Sequence, residues 1–264
     1  MSVLEIRDLA VRFGGVAALG GVSFAVASGT VTSLIGPNGA GKTTAFNVIT
    51  GFQRPTGGQV SHDGVGITGW RPYRIAERGL VRTFQRTSVF PSLTVMENVL
   101  TGLHLRGSVG VMAAVLRRGR VRAEEQRLAD DATRVIEFVG LAARRDARAD
   151  ALSYGEQRLL ELAVALAAKP SLLLLDEPGS GMTASEKATL AALIRKIRDG
   201  GVTVFLVEHD MRLVMGISDR VLVLDGGRLI ADGNASEVQR DPDVIRAYLG
   251  TAPALGRSER GREG

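Results

Sequence analysis

The chain has 264 residues, which is enough for one large α/β domain with a smaller subdomain. Its 33 basic and 28 acidic residues give a formal net charge of +5 at pH 7, too small a surplus to select nucleic acid or a membrane as partner. No apolar run reaches the roughly 18–20 residues that cross a bilayer, and the first residues lack a signal-peptide core. The absence of cysteine excludes disulfides and cysteine-bound metals.

The first 35 residues are predicted to form strands separated by tight turns. Apolar and β-branched residues indicate strands at Val3–Ile6, Val22–Val26 and Val31–Ile35. Glycine-containing pairs indicate turns at 14–15, 20–21 and 28–29. The third strand leads directly into the most informative segment of the chain.

That segment reads GPNGAGKTT at residues 36–44. The offsets of the phosphate-loop pattern G-x-x-x-x-G-K-[ST] are filled by Gly36, Gly41, Lys42 and Thr43. Gly39 and Gly41 allow a tight turn in which successive N–H groups converge on phosphate oxygens, and the following helix points its positive N-terminus at them. Lys42 would neutralise the β- and γ-phosphates, and Thr43 would offer its hydroxyl to Mg²⁺. The pattern therefore predicts a nucleoside triphosphate as the ligand.

Residues 92–168 are predicted to be almost wholly helical, as an insertion in an α/β core. Spaced apolar residues predict an amphipathic helix over Ala123–Val139, and Tyr154–Ala168 predicts another. Just before the insertion, Gln85 closes the short β-like run Leu80–Phe84. Its neutral amide can touch a metal-bound water and release it again, which suits a sensor between two subdomains.

Two later apolar runs, Leu172–Asp176 and Val202–Val207, are typical of strands covered on both faces in a parallel sheet. An acidic residue at the end of such a strand needs a cation to meet it, so Asp176 is predicted to hold Mg²⁺. Glu177 follows it and is placed to accept a proton from an attacking water. His209 ends the neighbouring strand and is predicted to sense the γ-phosphate.

Ser153 is a good N-cap for the helix that begins at Tyr154, and the small Gly155 lies beside it. A serine hydroxyl at a helix N-terminus can bind an anion, but an ordinary capped helix has the same pattern. Near the end of the chain, Asp225-Gly226-Gly227 predicts a hairpin between two strands.

In this order, the segments resemble those of the ATP-binding subunits of ABC transporters. The phosphate loop, Gln85, LSYGEQ at 152–157, LLLLDEP at 172–178 and His209 match that family's Walker A, Q-loop, signature, Walker B and H-loop. The resemblance implies catalytic roles for Glu177, His209 and Gln85, and metal contacts from Thr43, Gln85 and Asp176. It implies nucleotide contacts from Phe13, Gly36, Pro37, Asn38, Gly39, Ala40, Gly41, Lys42, Thr43, Thr44, Ser153 and Gly155. Phe13 would stack on adenine, with a core phenylalanine as a nearly equal alternative.

The resemblance also implies a mechanism, with ATP and Mg²⁺ as cofactors. Two ATPase domains would face head to tail, so that Ser153 and Gly155 of one close over the ATP held by Lys42 of the other. The partners would be two transmembrane permeases, a paralogous ATPase or a second copy, and indirectly a solute-binding protein, with no nucleic acid. The protein would act as a peripheral subunit at the cytoplasmic face of the plasma membrane.

A narrower likeness is to branched-chain amino acid import ATPases. It is carried by the segments RTFQRTSVFPSLTVMENV (82–99), LSYGEQRLLELAVALA (152–167), VEHDMRLVMGISDRVLVLDGGRLIADG (207–233) and AYLG (247–250). Alternatives are a urea or amide importer of the same group, an exporter ATPase of the lipopolysaccharide type, and a soluble ABC ATPase outside transport. Most relatives carry Gly-Leu-Asn or Gly-Leu-Asp where this chain has Gly181-Met182-Thr183, a triplet that resembles the urea group.

These observations predict an α/β P-loop ABC-type ATPase with a mainly parallel core sheet, an antiparallel β subdomain and a helical subdomain. A single ABC ATPase domain is expected over 2–250, with the helical subdomain inserted at about 86–168. The polar residues 251–264 are expected to form a disordered tail.

Overall fold

The computed structural model describes residues 1–83, 89–103 and 118–249. The strands of these residues are β1 (Ser2–Phe13), β2 (Val16–Ala27), β3 (Val31–Ile35), β4 (Gly57–His62), β5 (Val65–Gly66), β6 (Leu80–Arg82), β7 (Leu172–Asp176), β8 (Thr203–Val207), β9 (Arg220–Asp225) and β10 (Arg228–Gly233). The helices are α1 (Lys42–Ile49), α2 (Pro72–Glu77), α3 (Val95–Leu103), α4 (Arg118–Phe138), α5 (Tyr154–Ala167), α6 (Ala184–Asp199), α7 (Met211–Ile217), α8 (Ala235–Arg240) and α9 (Pro242–Leu249).

The larger sheet has six strands in the order β10-β9-β3-β8-β7-β6. All neighbouring pairs are parallel except β9 and β10, which form the predicted hairpin. Every residue of β3, β7 and β8 is buried, as expected for parallel strands covered on both faces. The predicted mainly parallel core sheet is therefore confirmed, with β8 between the phosphate-loop strand and the strand that ends at Asp176.

Side chains of the core strands alternate between two hydrophobic layers, as the period of a β-strand requires. Leu173 and Leu175 of β7 pack with the helices α3, α4, α5 and α6. Leu172 and Leu174 pack on the opposite face, against α1 and the smaller antiparallel sheet. The two faces of one strand thus join the helical region and the antiparallel region to the core.

The smaller sheet is antiparallel, in the order β2-β1-β4-β5. The turn predicted at Gly20-Gly21 is wrong, because both residues lie inside the continuous strand β2. The pairing with β1 shifts there, from Val22 opposite Leu9 to Gly20 opposite Ala10, and the extra residue Gly21 has φ +90°. Glycine therefore forms a bulge rather than a turn, and the N–H of Gly20 donates to the carbonyl of Gly227 in the β9–β10 hairpin.

The predicted helical subdomain is confirmed, but the segment 92–168 is less helical than predicted, because residues 139–153 form turns and two short 3-10 helices between α4 and α5. Helices α3, α4 and α5 pack on one another, and the predicted helices 123–139 and 154–168 correspond to α4 and α5 within a few residues at each end. Gln85 and the tail 251–264 lie outside the described residues, and the domain boundaries stay a prediction. None of the helices in the described ranges is long and apolar enough to cross a membrane.

Candidate nucleotide site

The predicted phosphate loop lies between β3 and α1, at the carboxyl edge of the parallel sheet. Gly36 has φ +149°, and a Cβ there would stand 2.0 Å from the carbonyl oxygen of Leu224. Gly41 is the N-cap of α1 with φ +103°, and no side chain in the described part of the chain caps the helix. The first N–H groups of α1 have no acceptor within the helix, so they are available to phosphate oxygens.

Lys42 is the first residue of α1, and its side chain turns back over the loop. Its Nζ donates to the carbonyl oxygens of Gly36, at 2.7 Å, and Pro37, at 2.9 Å. Burial lowers the pKa of Lys42, and the nearby carboxylate of Glu177 opposes this shift. The cation is therefore held between the loop and Glu177, where a triphosphate would replace carbonyl oxygens as its partner.

Asp176 ends β7 with only 2% of its side chain exposed. Its Oδ2 accepts a hydrogen bond from Arg82 Nη2 at 2.6 Å, whereas Oδ1 is buried with no hydrogen-bond partner in the described part of the chain. A buried carboxylate oxygen without a donor is costly unless a cation meets it, so the site fits Mg²⁺. Thr43, an exposed residue in the first turn of α1, is the second predicted metal contact.

Glu177 adopts φ +48°, in the left-handed region that residues with a side chain rarely occupy. Its N–H donates to the carbonyl of Val207 at 2.9 Å, which ties this turn to the end of β8. His209 follows β8, and its Nδ1 lies 3.8 Å from Oε2 of Glu177. The structure therefore brings Lys42, Asp176, Glu177 and His209 together at one edge of the sheet.

Glu208 is a residue of this site that the sequence reasoning missed. It is 1% exposed, and its Oε1 accepts from the N–H of Gly179 at 2.7 Å. Its Oε2 accepts from the N–H groups of His209, at 2.9 Å, and Asp210, at 3.2 Å. One carboxylate thus fixes the loop after Glu177 and the loop that carries His209. An acidic residue directly after a buried strand was the available signal.

Arg82 is a second residue that the sequence reasoning missed. It ends the core strand β6, and its guanidinium is the counter-ion of Asp176. Besides Asp176, its guanidinium donates from Nη1 to Asn47 Oδ1 at 2.8 Å and to Thr50 Oγ1 at 3.1 Å. Asn47 and Thr50 belong to α1 and its C-terminal end. Arg82 therefore links the phosphate-loop helix to the strand that ends at Asp176.

Ser153 caps α5 as predicted. Its Oγ accepts from the N–H of Glu156, and the Glu156 carboxylate accepts from the N–H of Ser153, forming a capping box. These hydrogen bonds stay within the first turn of α5 and leave Ser153 exposed. Thr183 forms a capping box of the same kind with Glu186 at the start of α6. Thr183 is thus the N-cap of α6, the role that the Asn or Asp of a Gly-Leu-Asn or Gly-Leu-Asp triplet would have at this position.

Phe13 ends β1 and is 52% exposed, so it is not a core phenylalanine. It pairs with Val16, which is 70% exposed, at the tip of the β1–β2 hairpin. A few residues along β2, the carbonyl of Ala18 lies against Gly41 of the phosphate loop, 2.6 Å from where a Cβ would stand. The hairpin therefore carries an exposed aromatic ring to the neighbourhood of the loop, in keeping with adenine stacking.

The chain is similar in sequence to known transport ATP-binding proteins. The family model for the ABC transporter matches residues 19–180, and that for the branched-chain amino acid ATP-binding cassette transporter matches residues 228–254. The high-affinity branched-chain amino acid transport ATP-binding protein BraF of Pseudomonas aeruginosa is 43% identical over 251 residues, covering 95% of this chain and 98% of BraF. LivG of Escherichia coli K12, which has the same descriptive name, is 41% identical with the same coverage.

Solved structures show the same relationship. A nucleotide-free ATP-binding cassette from an ABC transporter superposes with a TM-score of 0.82 at 32% identity, covering 95% of this chain and 100% of that one. The ADP conformation of an ATP-binding cassette gives a TM-score of 0.83 at 31% identity, covering 95% and 99%. The chain belongs to the ATP-binding subunits of ABC transporters, in the family of branched-chain amino acid transport ATP-binding proteins.

Proposed function

We propose that this protein hydrolyses ATP to drive an ABC importer for branched-chain or related amino acids. The observation that carries the proposal is the convergence of Lys42, Asp176 and Glu177 at one sheet edge, where Oδ1 of Asp176 is buried without a hydrogen-bond partner among the described residues. The similarity to BraF and LivG favours amino acid import over the urea, exporter and soluble alternatives.

The residues of the site divide the chemistry among them. The N–H groups at the start of α1 and Lys42 bind and orient the phosphates, and Phe13 stacks on adenine. Thr43 and Asp176 would hold Mg²⁺, which when bound supplies charge neutralisation on the phosphates. Glu177 accepts the proton of the attacking water, and His209 beside it contacts the γ-phosphate. Gln85, outside the described residues, keeps its proposed role as a sensor next to the metal.

We infer that Ser153 and Gly155 act on a partner's nucleotide rather than at this chain's own phosphate loop, because the hydrogen bonds of Ser153 stay within α5 and Gly155 packs against Glu186 of α6. The proposed assembly therefore pairs this ATPase with a paralogue, or with a second copy, whose ATP they cover. The pair would lie beneath two permeases at the cytoplasmic face of the plasma membrane, supplied by a solute-binding protein. The working unit would be a single ATPase domain over 2–250.

The test is Glu177→Gln in the full-length chain, isolated from its native membranes with Mg²⁺ and ATP. We expect ATP to remain bound, turnover to fall by about 10²-fold or more as is typical for loss of a general base, and the ATP-bound pair to be trapped. Glu137→Gln, an exposed change on α4, is the matched control and should behave as the parent.

Two permeases and a second ATPase in the isolated complex would support the importer. Equal turnover in Glu177→Gln and the parent would remove Glu177 from its role. Isolation with ribosomes or DNA instead of permeases would overturn the transport proposal while leaving the ATPase chemistry intact.

A further inference from the structure

His209 lies in a connection of only three residues, between the end of β8 at Val207 and the start of α7 at Met211. Its imidazole is 60% exposed. Its Nδ1 lies 3.8 Å from Oε2 of Glu177 and 3.9 Å from Oε2 of Glu208, beyond hydrogen-bond distance in both cases. The position of the ring therefore depends on the backbone that carries it.

Asp210 anchors this connection to two helices at once. It is the N-cap of α7, and its Oδ1 accepts from the N–H groups of Arg212, at 2.9 Å, and Leu213, at 3.2 Å. Its Oδ2 accepts from Nζ of Lys187 at 2.6 Å. One carboxylate thus caps α7 through one oxygen and reaches α6 through the other.

Lys187 lies near the start of α6, which begins at Ala184. Its ion pair with Asp210 is partly buried, with 28% and 23% of the two side chains exposed. The hydrogen bond from Lys187 is the main reason that the pKa of Asp210 lies below its ordinary value. Asp210 is therefore ionised at neutral pH, and the hydrogen bond between the two side chains is charge-assisted.

The stem of Lys187 lies against the loop that follows Glu177. A Cβ on Gly179 would stand 3.7 Å from Cε of Lys187 and 2.9 Å from Oε1 of Glu208. The N–H of Gly179 donates to that same oxygen of Glu208. Gly179 is therefore held between the two side chains, and the stem of Lys187 has a defined path to Asp210.

A cavity of about 300 Å³ lies beside the ion pair. The small residues that line it are Ala184, Ala188, Ala191 and Gly216. Because this space is not filled, apolar packing does not fix the side chain of Asp210 from this side. The ion pair with Lys187 is therefore the contact that holds it.

We propose that Lys187 is a positioning residue for His209. Its ion pair with Asp210 holds the three-residue connection so that the imidazole stays beside Glu177, at the sheet edge where the γ-phosphate would lie. The inference rests on the proposed function, because His209 has this task only if the chain hydrolyses ATP. Lys187 acts through the connection and not on the nucleotide, so its loss should lower kcat and leave KM for ATP unchanged.

The test is Lys187→Met, which keeps the stem and removes the ammonium group. In the complex isolated from native membranes, we expect kcat to fall about three- to tenfold, the range between an exposed ion pair and a charge-assisted hydrogen bond. Lys187→Arg keeps a cation that can reach Asp210 and should restore most of kcat. Lys169→Met is the matched control, because it removes a lysine from a surface ion pair with Asp131 and should leave kcat unchanged.

A variant of the partner residue tests the pair itself. Asp210→Asn keeps a side chain that caps helices well but removes the charge that Lys187 meets. It should lower kcat to a similar extent. Adding Lys187→Met to Asp210→Asn should then cost nothing more, because both changes remove the same interaction.

Nuclear magnetic resonance of the full-length chain detects the position of His209 without turnover. The chain has three histidines, and the imidazole signal of His209 is the one that His209→Gln removes. In Lys187→Met this signal should shift, and the signals of the other two histidines should stay in place. In Lys169→Met all three should stay in place.

The outcomes separate this inference from the proposed function. Unchanged kcat or an unshifted His209 signal in Lys187→Met would refute the positioning role, and loss of turnover in Glu177→Gln would still support the proposed function. Equal turnover in Glu177→Gln and the parent would count against the proposed function and remove the task of His209 with it. A rise in KM without a fall in kcat would mean that Lys187 acts on nucleotide binding, which overturns the inference. A fall in kcat that Lys187→Arg does not restore would make Lys187 merely structural and overturn it as well.

Discussion

The buried ion pair between Arg82 and Asp176 permits a quantitative prediction for Arg82→Met. Methionine keeps much of the side-chain volume but removes the guanidinium that donates to Oδ2 of Asp176 at 2.6 Å. Because the side chains are 7% and 2% exposed, Asp176 would be left as an uncompensated charge away from water. Breaking a pair of this kind costs about 3–5 kcal/mol of unfolding free energy.

That cost is a large share of the roughly 5–15 kcal/mol by which a domain is stable. At about 2–4 °C per kcal/mol for a domain of 150–250 residues, the melting temperature should fall by about 6–20 °C. Differential scanning calorimetry of the full-length variant measures the shift directly. The matched control is Arg148→Met, because Arg148 pairs with Asp150 on the surface, and loss of such a pair should leave the melting temperature nearly unchanged.

Neutralising the stranded carboxylate of Asp176 in two ways tests the role of the ion pair. Adding Asp176→Asn to Arg82→Met removes the stranded charge, so the double variant should recover much of the lost melting temperature. Mg²⁺ should stabilise Arg82→Met more than the parent, because a cation at Asp176 then replaces the missing guanidinium. If Arg82→Met melts at the same temperature as the parent, the ion pair does not have the assigned role. The same conclusion follows if neither the added Asp176→Asn change nor Mg²⁺ recovers the melting temperature.

Two further predictions concern adenine stacking and acid stability. Phe13→Ala should weaken ATP binding about two- to tenfold by calorimetric titration, the range expected of an aromatic contact, with little change in melting temperature. Phe90→Ala, equally exposed at 53%, should leave affinity unchanged, and equal effects of both would exclude stacking. Burial lowers the pKa of His62, and Asp63 opposes this shift. The unfolded chain therefore binds a proton at His62 more readily than the folded chain does. The contribution of His62 to the free energy of unfolding is fully present above about pH 6.5 and declines as the pH falls below that value. Urea unfolding at pH 8 and 5.5 should show a smaller decline for His62→Gln, and an equal decline would exclude His62 as the cause.

Local patterns in the sequence were enough to predict the main parts of the candidate site. The loop at 36–44 depends on fixed offsets along the chain, and the strands Leu172–Asp176 and Thr203–Val207 depend on continuous apolar runs. Because parallel strands present their carboxyl ends at one edge, the motifs after these strands were also predicted to meet. That expectation is met by Glu177 and His209, whose side chains approach to 3.8 Å.

The turn wrongly predicted at Gly20-Gly21 shows the limit of such patterns. Two glycines are as compatible with a bulge in a long strand as with a turn, and the partner strand decides between them. Here β1 continues opposite β2, and the β9–β10 hairpin accepts the N–H of Gly20, so the strand is not interrupted. The sequence left Phe13 undecided between adenine stacking and a place in the core for the same reason, because exposure at the tip of a hairpin is a property of the folded sheet.

The sequence by itself predicted the ligand class, the core strands and the groups proposed to act on the nucleotide, from short-range spacing, periodicity and the family resemblance. Only the tertiary structure decided which side chains hold those groups in place. Arg82 reaches Asp176 across 94 positions, Glu208 reaches Gly179 across 29, and Tyr154 reaches Ser180 across 26. The order of strands in the sheet and the packing of α5 against the loop after Glu177 set these distances, and no local pattern encodes either.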